Sequence, residues 1–373
     1  MVDMLRRGWL ASVALSMAAL LLGMPVSGRA QRPSPFELEK AGWDAIRANR
    51  VQEAADAFRD AIRMQPGNVR LMLGAGLAAH LLGRSEEARQ HLVAALQADP
   101  KITQASILLG QILYGSGDLQ GAIHVYEQAL VHAPNERLLS SRIESWRREL
   151  DLHDRFSQKY GDHFTVLFEG PREEALAKRV IDLLESAYWR IGTGLGAYPT
   201  GILTVVLYTN EQFRDITQSP DWAAAAFDGR IRVPVRGAFE NPRVLERVLA
   251  HELTHAIVYS IAPRGVPQWL NEGLAQVFEP EAPTAIAPRA AAPALSSLEK
   301  SFEALDTMQA RVAYAQSAAA VRVLIDQAGP AALLNLLTFV GEGTPFEQAF
   351  ERAVFVSYSD FQKQLTDSAR LVP

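Results

Sequence analysis

The sequence contains no cysteine among its 373 residues. Disulfides, iron–sulfur clusters, thiolate zinc sites and cysteine nucleophiles are therefore excluded. The chain also has no basic excess, since its formal net charge is −5, so a nucleic-acid partner is not expected. Hydrophobic residues make up 48% of the chain and charged residues 21%, which excludes a disordered or collagen-like protein. The length instead predicts two globular domains, or one large domain with an extension.

The apolar run at residues 9–24 is shorter than the ~20 residues that a membrane span needs. Arg6 and Arg7 precede this run, and small residues lead from it to a plausible cleavage site before Gln31. Residues 1–30 therefore predict a secretory signal peptide, with an uncleaved signal anchor as the alternative. Both interpretations predict an exported protein, periplasmic or secreted, and only the anchor predicts membrane contact. The lack of thiols suits an oxidising compartment.

Five columns of residues recur three times each at a spacing of 34 residues. They are Gly42, Gly76 and Gly110; Ala54, Ala88 and Ala122; Phe58, Leu92 and Tyr126; Ala61, Ala95 and Ala129; and Pro66, Pro100 and Pro134. The small columns allow two antiparallel helices to approach closely, the bulky column fills the space between them, and the proline ends the second helix. The spacing predicts three helical hairpins over about 36–135, followed by an amphipathic capping helix over 136–157.

These columns resemble the tetratricopeptide repeat family in period and in their small, large and proline pattern. The resemblance implies an α-helical repeat solenoid over 36–157, with a concave groove that could bind a protein partner. The alternative is that three repeats serve only as a packing surface for the next domain.

From residue 161 onward the sequence alternates between strand and helix patterns. It predicts strands at 163–169 and 202–208, a helix at 172–190, helices from 241 onward and an Ala/Pro-rich loop at 280–300. A further strand is predicted at 230–236. We place it at a sheet edge, because Pro234 cannot donate to a central ladder. An extended peptide could pair its backbone with such an edge.

The segment at 249–256 contains two histidines four residues apart in an apolar-periodic run. On a helix His251 and His255 share a face, so their imidazoles can bind one metal ion. Glu252 lies about 100° round the helix and can reach a water on that ion without ligating it. This HExxH arrangement predicts Glu252 as the general base of a zinc hydrolase.

A third ligand is expected, because catalytic zinc takes three protein ligands and leaves one position for water. Glu272 follows His255 by seventeen positions in an apolar segment that predicts a second helix. A buried carboxylate is costly unless it is paired or bound to metal, so Glu272 is the predicted third ligand. Gln276 and Glu279 share its helix face. Either could hydrogen-bond a zinc-bound histidine, although Glu279 could equally face solvent.

His-Glu-Leu-Thr-His followed by Trp-Leu-Asn-Glu-Gly-Leu-Ala resembles the gluzincin metallopeptidases, the class of thermolysin and aminopeptidase N, and in particular their peptidase MA-like domains. The resemblance implies an α+β zincin-like metallopeptidase domain over 161–370 with one Zn²⁺ per chain. It also implies that Tyr314 donates a hydrogen bond to the tetrahedral intermediate. The alternative for Tyr314 is an ordinary core or surface aromatic residue.

The sequence thus predicts an exported zinc peptidase that acts on proteins or peptides and carries repeats for protein interaction. One alternative is a repeat-based scaffold protein whose peptidase domain is degenerate. Another is a zinc hydrolase that acts on a non-protein amide.

Overall fold

The computed structural model describes residues 33–217, 226–227, 229–235, 241–280, 293–302 and 305–370. The predicted signal peptide and most of the predicted 280–300 loop lie outside these residues. A helical repeat region comes first, and a mostly helical domain with a five-stranded sheet follows it. This order confirms the predicted fold class.

Six helices form three antiparallel pairs whose first helices begin at residues 35, 69 and 103, which confirms the 34-residue repeat. A seventh helix caps the stack. The helices are α1 (Pro35–Arg47), α2 (Val51–Met64), α3 (Val69–Leu81), α4 (Ser85–Ala98), α5 (Thr103–Gly115), α6 (Leu119–His132) and α7 (Arg137–His153). Polar side chains cap several of them: Ser34 forms a capping box with Glu37, and Asn68 caps α3.

Each repeat requires glycine at this position because the bulky side chain of the same repeat packs directly against it. A Cβ atom on each glycine would lie under 3 Å from that neighbour: 2.7 Å for Gly42 and Phe58, 2.8 Å for Gly76 and Leu92, and 2.2 Å for Gly110 and Tyr126. The bulky side chains themselves are buried. The close approach that the sequence predicted is therefore made by these pairs.

The second region contains a mixed sheet in the order β1-β2-β3-β5-β4. Its three inner strands are parallel, and β1 and β4 pair antiparallel at the two sides. The strands are β1 (Ser157–Tyr160), β2 (Phe164–Phe168), β3 (Leu203–Tyr208), β4 (Ala226–Phe227) and β5 (Ile231–Pro234). The helices are α8 (Glu174–Leu195), α9 (Asn210–Thr217), α10 (Pro242–Ile261), α11 (Gln268–Val277), α12 (Thr307–Gly341), α13 (Phe346–Val354) and α14 (Tyr358–Arg370). Helices α8, α10, α11 and α12 share one large core with the inner strands.

Two predicted features, the edge position of one strand and the end of the capping helix, are wrong. The strand at 230–236 is β5, which lies between β3 and β4, so β4 is the outermost described strand on that side. Pro234 is tolerated because the described pairing with β4 covers only Ile231 and Arg232. The capping helix ends at His153 rather than 157, because the chain then enters the sheet as β1 and buries Phe156.

Helix α12 is the one described helix that is long and apolar enough to cross a membrane. Its backbone is broken at Gly329, where φ is +81°, and Pro330 follows. Ala320, Val321 and Leu324 of this helix are buried in the core shared with α10 and α11. Part of its apolar surface is therefore buried in the core of the folded domain.

Candidate metal centre

Helix α10 places the two predicted histidine ligands at the side of the core. The Asn241 side chain begins the helix by accepting hydrogen bonds from the N–H groups of Arg243 and Val244. Leu249, Leu253 and Ile257 then anchor one face in the core. His251 and His255 occupy another face, with their ring centroids 4.8 Å apart.

Helix α11 brings Glu272 to the same point. Glu272 Oε2 lies 3.3 Å from His251 Nε2 and 3.6 Å from His255 Nε2. One ligand atom from each of the three residues lies within 4.8 Å of the other two. The structure therefore brings together all three residues that were predicted as metal ligands.

The residue after Glu272 decides how closely α11 can approach α12. A Cβ atom on Gly273 would lie 2.4 Å from the carbonyl oxygen of Ser317, which is a backbone atom of α12. Only glycine therefore permits this helix crossing without a shift of the backbone. The glycine is needed for the helix packing that supports Glu272.

The outer nitrogens of both histidines are hydrogen-bonded to acceptors. His251 Nδ1 lies 2.8 Å from Glu279 Oε1, and His255 Nδ1 lies 3.1 Å from Asn271 Oδ1. Both partners are oxygen acceptors, so we assign the ring protons to Nδ1, which leaves the Nε2 lone pairs facing Glu272. Of the two residues predicted to play this part, Glu279 contacts a histidine. Among the described residues no hydrogen bond joins Gln276 to either histidine.

The donor set fits a divalent cation. Glu272 Oε1 accepts a hydrogen bond from Gln268 Nε2 at 2.7 Å, whereas the buried Oε2 accepts none. Two imidazole nitrogens and one carboxylate oxygen are the ligands of many catalytic zinc sites. A cation among them would satisfy the unpaired oxygen and both Nε2 lone pairs together.

The buried groups of this cluster strongly shift one another's pKa values. Burial alone would lower the pKa of His251, but the nearby carboxylates of Glu272 and Glu279 outweigh burial and raise that pKa to about 10. Burial alone would raise the pKa of Glu272, but the two imidazoles hold it well below its usual range. The carboxylates thus make this centre attractive to positive charge.

Glu252 lies beside the cluster and is itself buried. Burial raises the pKa of Glu252, and the neighbouring imidazoles of His255 and His251 partly oppose that rise. A carboxylate with a raised pKa is a more effective proton acceptor near neutral pH than an exposed one. The position and environment of Glu252 are therefore compatible with the role of a general base.

Tyr314 lies on the second turn of α12 and packs edge-on against Phe302, with 5.4 Å between ring centroids. Burial raises the pKa of Tyr314, and the carboxylates of Glu272 and Glu252 raise it further. The phenol therefore lies within the electrostatic field of the cluster and stays protonated at neutral pH. A protonated phenol can donate a hydrogen bond to an oxyanion.

Sequence reasoning missed two polar residues that orient the predicted ligands, Asn271 and Gln268. A signal was present for Gln268, because it precedes Glu272 by four positions and so shares its helix face, whereas Asn271 directly precedes Glu272 and has no such spacing. Polar side chains beside a predicted buried ligand could have been interpreted as its hydrogen-bond partners.

Comparison with known proteins gives one family for each region. Residues 39–101 and 82–137 match the tetratricopeptide repeat family, and residues 190–364 match the Peptidase MA superfamily.

Two solved structures are similar to the repeat region. One is the first tetratricopeptide domain of Spaghetti (RPAP3) bound to an HSP90 peptide, with 19% identity, TM-score 0.30, 32% of this chain covered and 96% of that chain covered. The other is the Sgt2 tetratricopeptide domain from Aspergillus fumigatus, with 23% identity, TM-score 0.32, 37% of this chain covered and 93% of that chain covered. The family matches carry the assignment: the chain combines tetratricopeptide repeats with a domain of the Peptidase MA superfamily.

Proposed function

We propose that this protein is an exported zinc-dependent peptidase whose His251, His255 and Glu272 hold one Zn²⁺. The observation that carries the proposal is the oxygen Oε2 of Glu272, which is buried, accepts no hydrogen bond and faces two imidazole nitrogens. Such an oxygen is costly unless a cation binds it. The match of residues 190–364 to the Peptidase MA superfamily supports a peptide substrate.

Bound zinc would supply Lewis acidity, which lowers the pKa of a water from 15.7 towards ~7 and polarises a carbonyl group. The residues of the chain handle the proton and the developing charge. Glu252 accepts the proton of the attacking water and passes it to the leaving amine. Tyr314 donates its phenolic proton as a hydrogen bond to the oxyanion of the tetrahedral intermediate.

The substrate is a polypeptide in an extended conformation. The strand β4 is the outermost described strand on the side of α10, and its Phe227 ring packs 5.8 Å from the ring of Tyr259 on that helix. An extended peptide that added to this side of the sheet would run past the histidine face of the same helix. The predicted mode of substrate binding, backbone pairing with an outer strand, is therefore retained, but the strand is β4 instead of β5.

Two further parts of the proposal rest on the sequence. The apolar run at 9–24 with its preceding arginines supports export, either periplasmic or secreted. The tetratricopeptide repeats support a protein partner, because this family commonly uses its concave groove for such binding.

Metal analysis of the purified full chain tests the ligand set. We expect about one zinc per chain in the wild type and none in His251→Ala or His255→Ala. His132→Ala is the matched control, because His132 is an exposed histidine on α6. Full zinc content in a double variant of His251 and His255 would refute the site.

Digestion of a broad peptide library tests the chemistry. We expect Glu252→Gln to retain zinc and fold while hydrolysis falls by about 10²-fold or more. Loss of zinc together with activity would show that Glu252 is a ligand rather than a base. A zinc-loaded wild type that cleaves no peptide would favour the degenerate scaffold protein.

A further inference from the structure

The three repeats contact the peptidase domain through equivalent turns. Asn49, Gly83 and Gly117 each connect the two helices of a pair, are spaced 34 residues apart and have positive φ angles of 56°, 71° and 91°. The Asn49 side chain accepts a hydrogen bond from Arg264, which follows α10. A Cβ atom on Gly83 would lie 2.2 Å from the ring of Pro263. One side of the repeat stack therefore lies against the second domain.

At the C-terminal end of this contact a carboxylate of the repeats is buried among groups from both regions. Glu149 of α7 accepts hydrogen bonds at Oε1 from Arg230 Nη1 at 2.9 Å and from Arg232 Nη1 at 2.8 Å. Its Oε2 accepts a third from the hydroxyl of Tyr114 at 2.9 Å. Both arginines and Glu149 are buried, so this carboxylate is the shared counter-ion of two cations from the peptidase domain.

Arg232 extends the network into the sheet. Its Nη2 donates to the Tyr114 hydroxyl of α5 at 2.7 Å, and its Nη1 donates to the Tyr208 hydroxyl of β3 at 2.8 Å. A fully buried guanidinium is costly unless its donors and its charge are compensated. The compensation of this arginine in β5 comes partly from α5 and α7, which belong to the repeats.

The anchored strand β5 is also the one that pairs with β4, the outermost described strand, which contacts the metal-binding helix α10. Arg232 and Ile231 are the two residues of β5 that pair with β4, opposite Ala226 and Phe227. The ring of Phe227 in turn contacts Tyr259, which follows His255 by four residues on α10. A continuous path of contacts thus runs from the repeats through β5 and β4 to the metal-binding helix.

We infer that Glu149 is a positioning residue supplied by the repeats: it fixes β5 and thereby the strand β4 along which an extended peptide binds. The repeats are then a fixed part of the substrate-binding wall as well as a candidate protein-binding region. This inference rests on the proposed function for its peptide, but the link between Glu149 and the strands is independent of catalysis.

The test uses the full chain with Glu149→Gln, which keeps the shape of the side chain and removes its charge. The matched control is Glu144→Gln, an exposed glutamate on the same helix. We expect amide hydrogen exchange in β4 and β5 to become about tenfold faster, while exchange in α10 and the zinc content stay unchanged. We further expect KM for peptides to rise about tenfold while kcat changes less than about threefold.

Tyr114→Phe provides a second, milder variant should Glu149→Gln fold poorly, and it should shift the exchange of β4 and β5 in the same direction. Unchanged exchange in these strands would overturn the inference. Uniformly faster exchange that includes α10, or loss of zinc, would also overturn it by showing a general structural role. If the wild type cleaves no peptide, the proposed function fails, and the exchange of β4 and β5 still decides whether Glu149 holds the strands.

Discussion

Two buried glutamates of this chain show opposite patterns of hydrogen bonding. Glu149 accepts three hydrogen bonds, from two arginines and a tyrosine, so both of its oxygens are satisfied within the protein. Glu272 has one satisfied oxygen and one buried oxygen with no donor, and that second oxygen faces two imidazole nitrogens. Complete satisfaction is expected of a carboxylate that joins two parts of a fold, whereas an unsatisfied oxygen indicates a ligand.

The basic side chains around the two glutamates also differ. Around Glu149 the positive charge comes from Arg230 and Arg232, which are permanently charged and belong to the chain. Around Glu272 the available groups are histidines, which can give up the proton and bind a metal through the same nitrogen. The first site is therefore complete in the folded chain, and the second is completed by a cation.

The largest predicted difference between the two glutamates is in how much zinc increases the free energy of unfolding. A ligand at 100 to 1,000 times its dissociation constant stabilises the folded state by about 2.7 to 4.1 kcal/mol. We expect a gain of this size for the wild type and for Glu149→Gln, and no gain for Glu272→Ala. Chemical unfolding with zinc and with a chelator measures it.

The assignment of separate roles to Glu149 and Glu272 would be wrong if Glu149→Gln also lost its stabilisation by zinc, since the two carboxylates would then belong to one coupled site. It fails equally if Glu272→Ala gains as much from zinc as the wild type. Glu144→Gln serves as the reference for the effect of removing one surface carboxylate from the repeats.

A smaller effect on zinc binding is expected for Glu279, which contacts the ligand His251 and not the metal itself. Glu279 accepts the Nδ1–H of His251 and so holds the ring with Nε2 towards Glu272. Loss of such an outer partner weakens metal binding by about 10- to 100-fold, so Glu279→Ala should bind zinc that much more weakly. Competition with a chelator measures the affinity. Gln276→Ala, near the end of α11 and three residues before Glu279, is the control, and an equal loss in that variant would contradict the assignment to Glu279.

The metal centre was more predictable from sequence than the contact between the two regions. His251 and His255 lie one helical turn apart, so local periodicity was sufficient to predict the pair, and Glu272 was predicted as a carboxylate in the apolar segment of the next helix. Asn271 was missed although it adjoins Glu272, because an amide next to a ligand has no distinctive spacing. All these groups lie within about one helical hairpin of the chain.

The contact between the regions depends on residues that are distant in sequence. Glu149 meets Arg232 across 83 positions, and a buried pair at that separation follows from the packing of whole domains. The position of β5 was mispredicted for a different reason. Its neighbour β4 has two residues, which is too few to show an alternating pattern. Both features became visible only when the tertiary structure placed the partners together.

The smallest expected effect tests whether the contact between the regions weakens in acid. Burial lowers the pKa of His153 from 6.5 to about 4; the charge of Glu149 opposes this decrease, and those of Arg230 and Arg232 add to it. The Nε2 atom of His153 lies 2.8 Å from the Tyr208 hydroxyl. Because the unfolded chain binds this proton more readily, the stability due to neutral His153 is present above pH 6.5 and is lost as the pH falls towards 4. We expect the wild type to lose on the order of 1–2 kcal/mol between pH 7 and 5 through this group, a loss that His153→Gln avoids because its amide does not titrate. Chemical unfolding at both pH values measures the difference between the two proteins, with His132→Gln as the exposed control. A difference that stays constant from pH 7 to 5 would show that His153 does not weaken the contact.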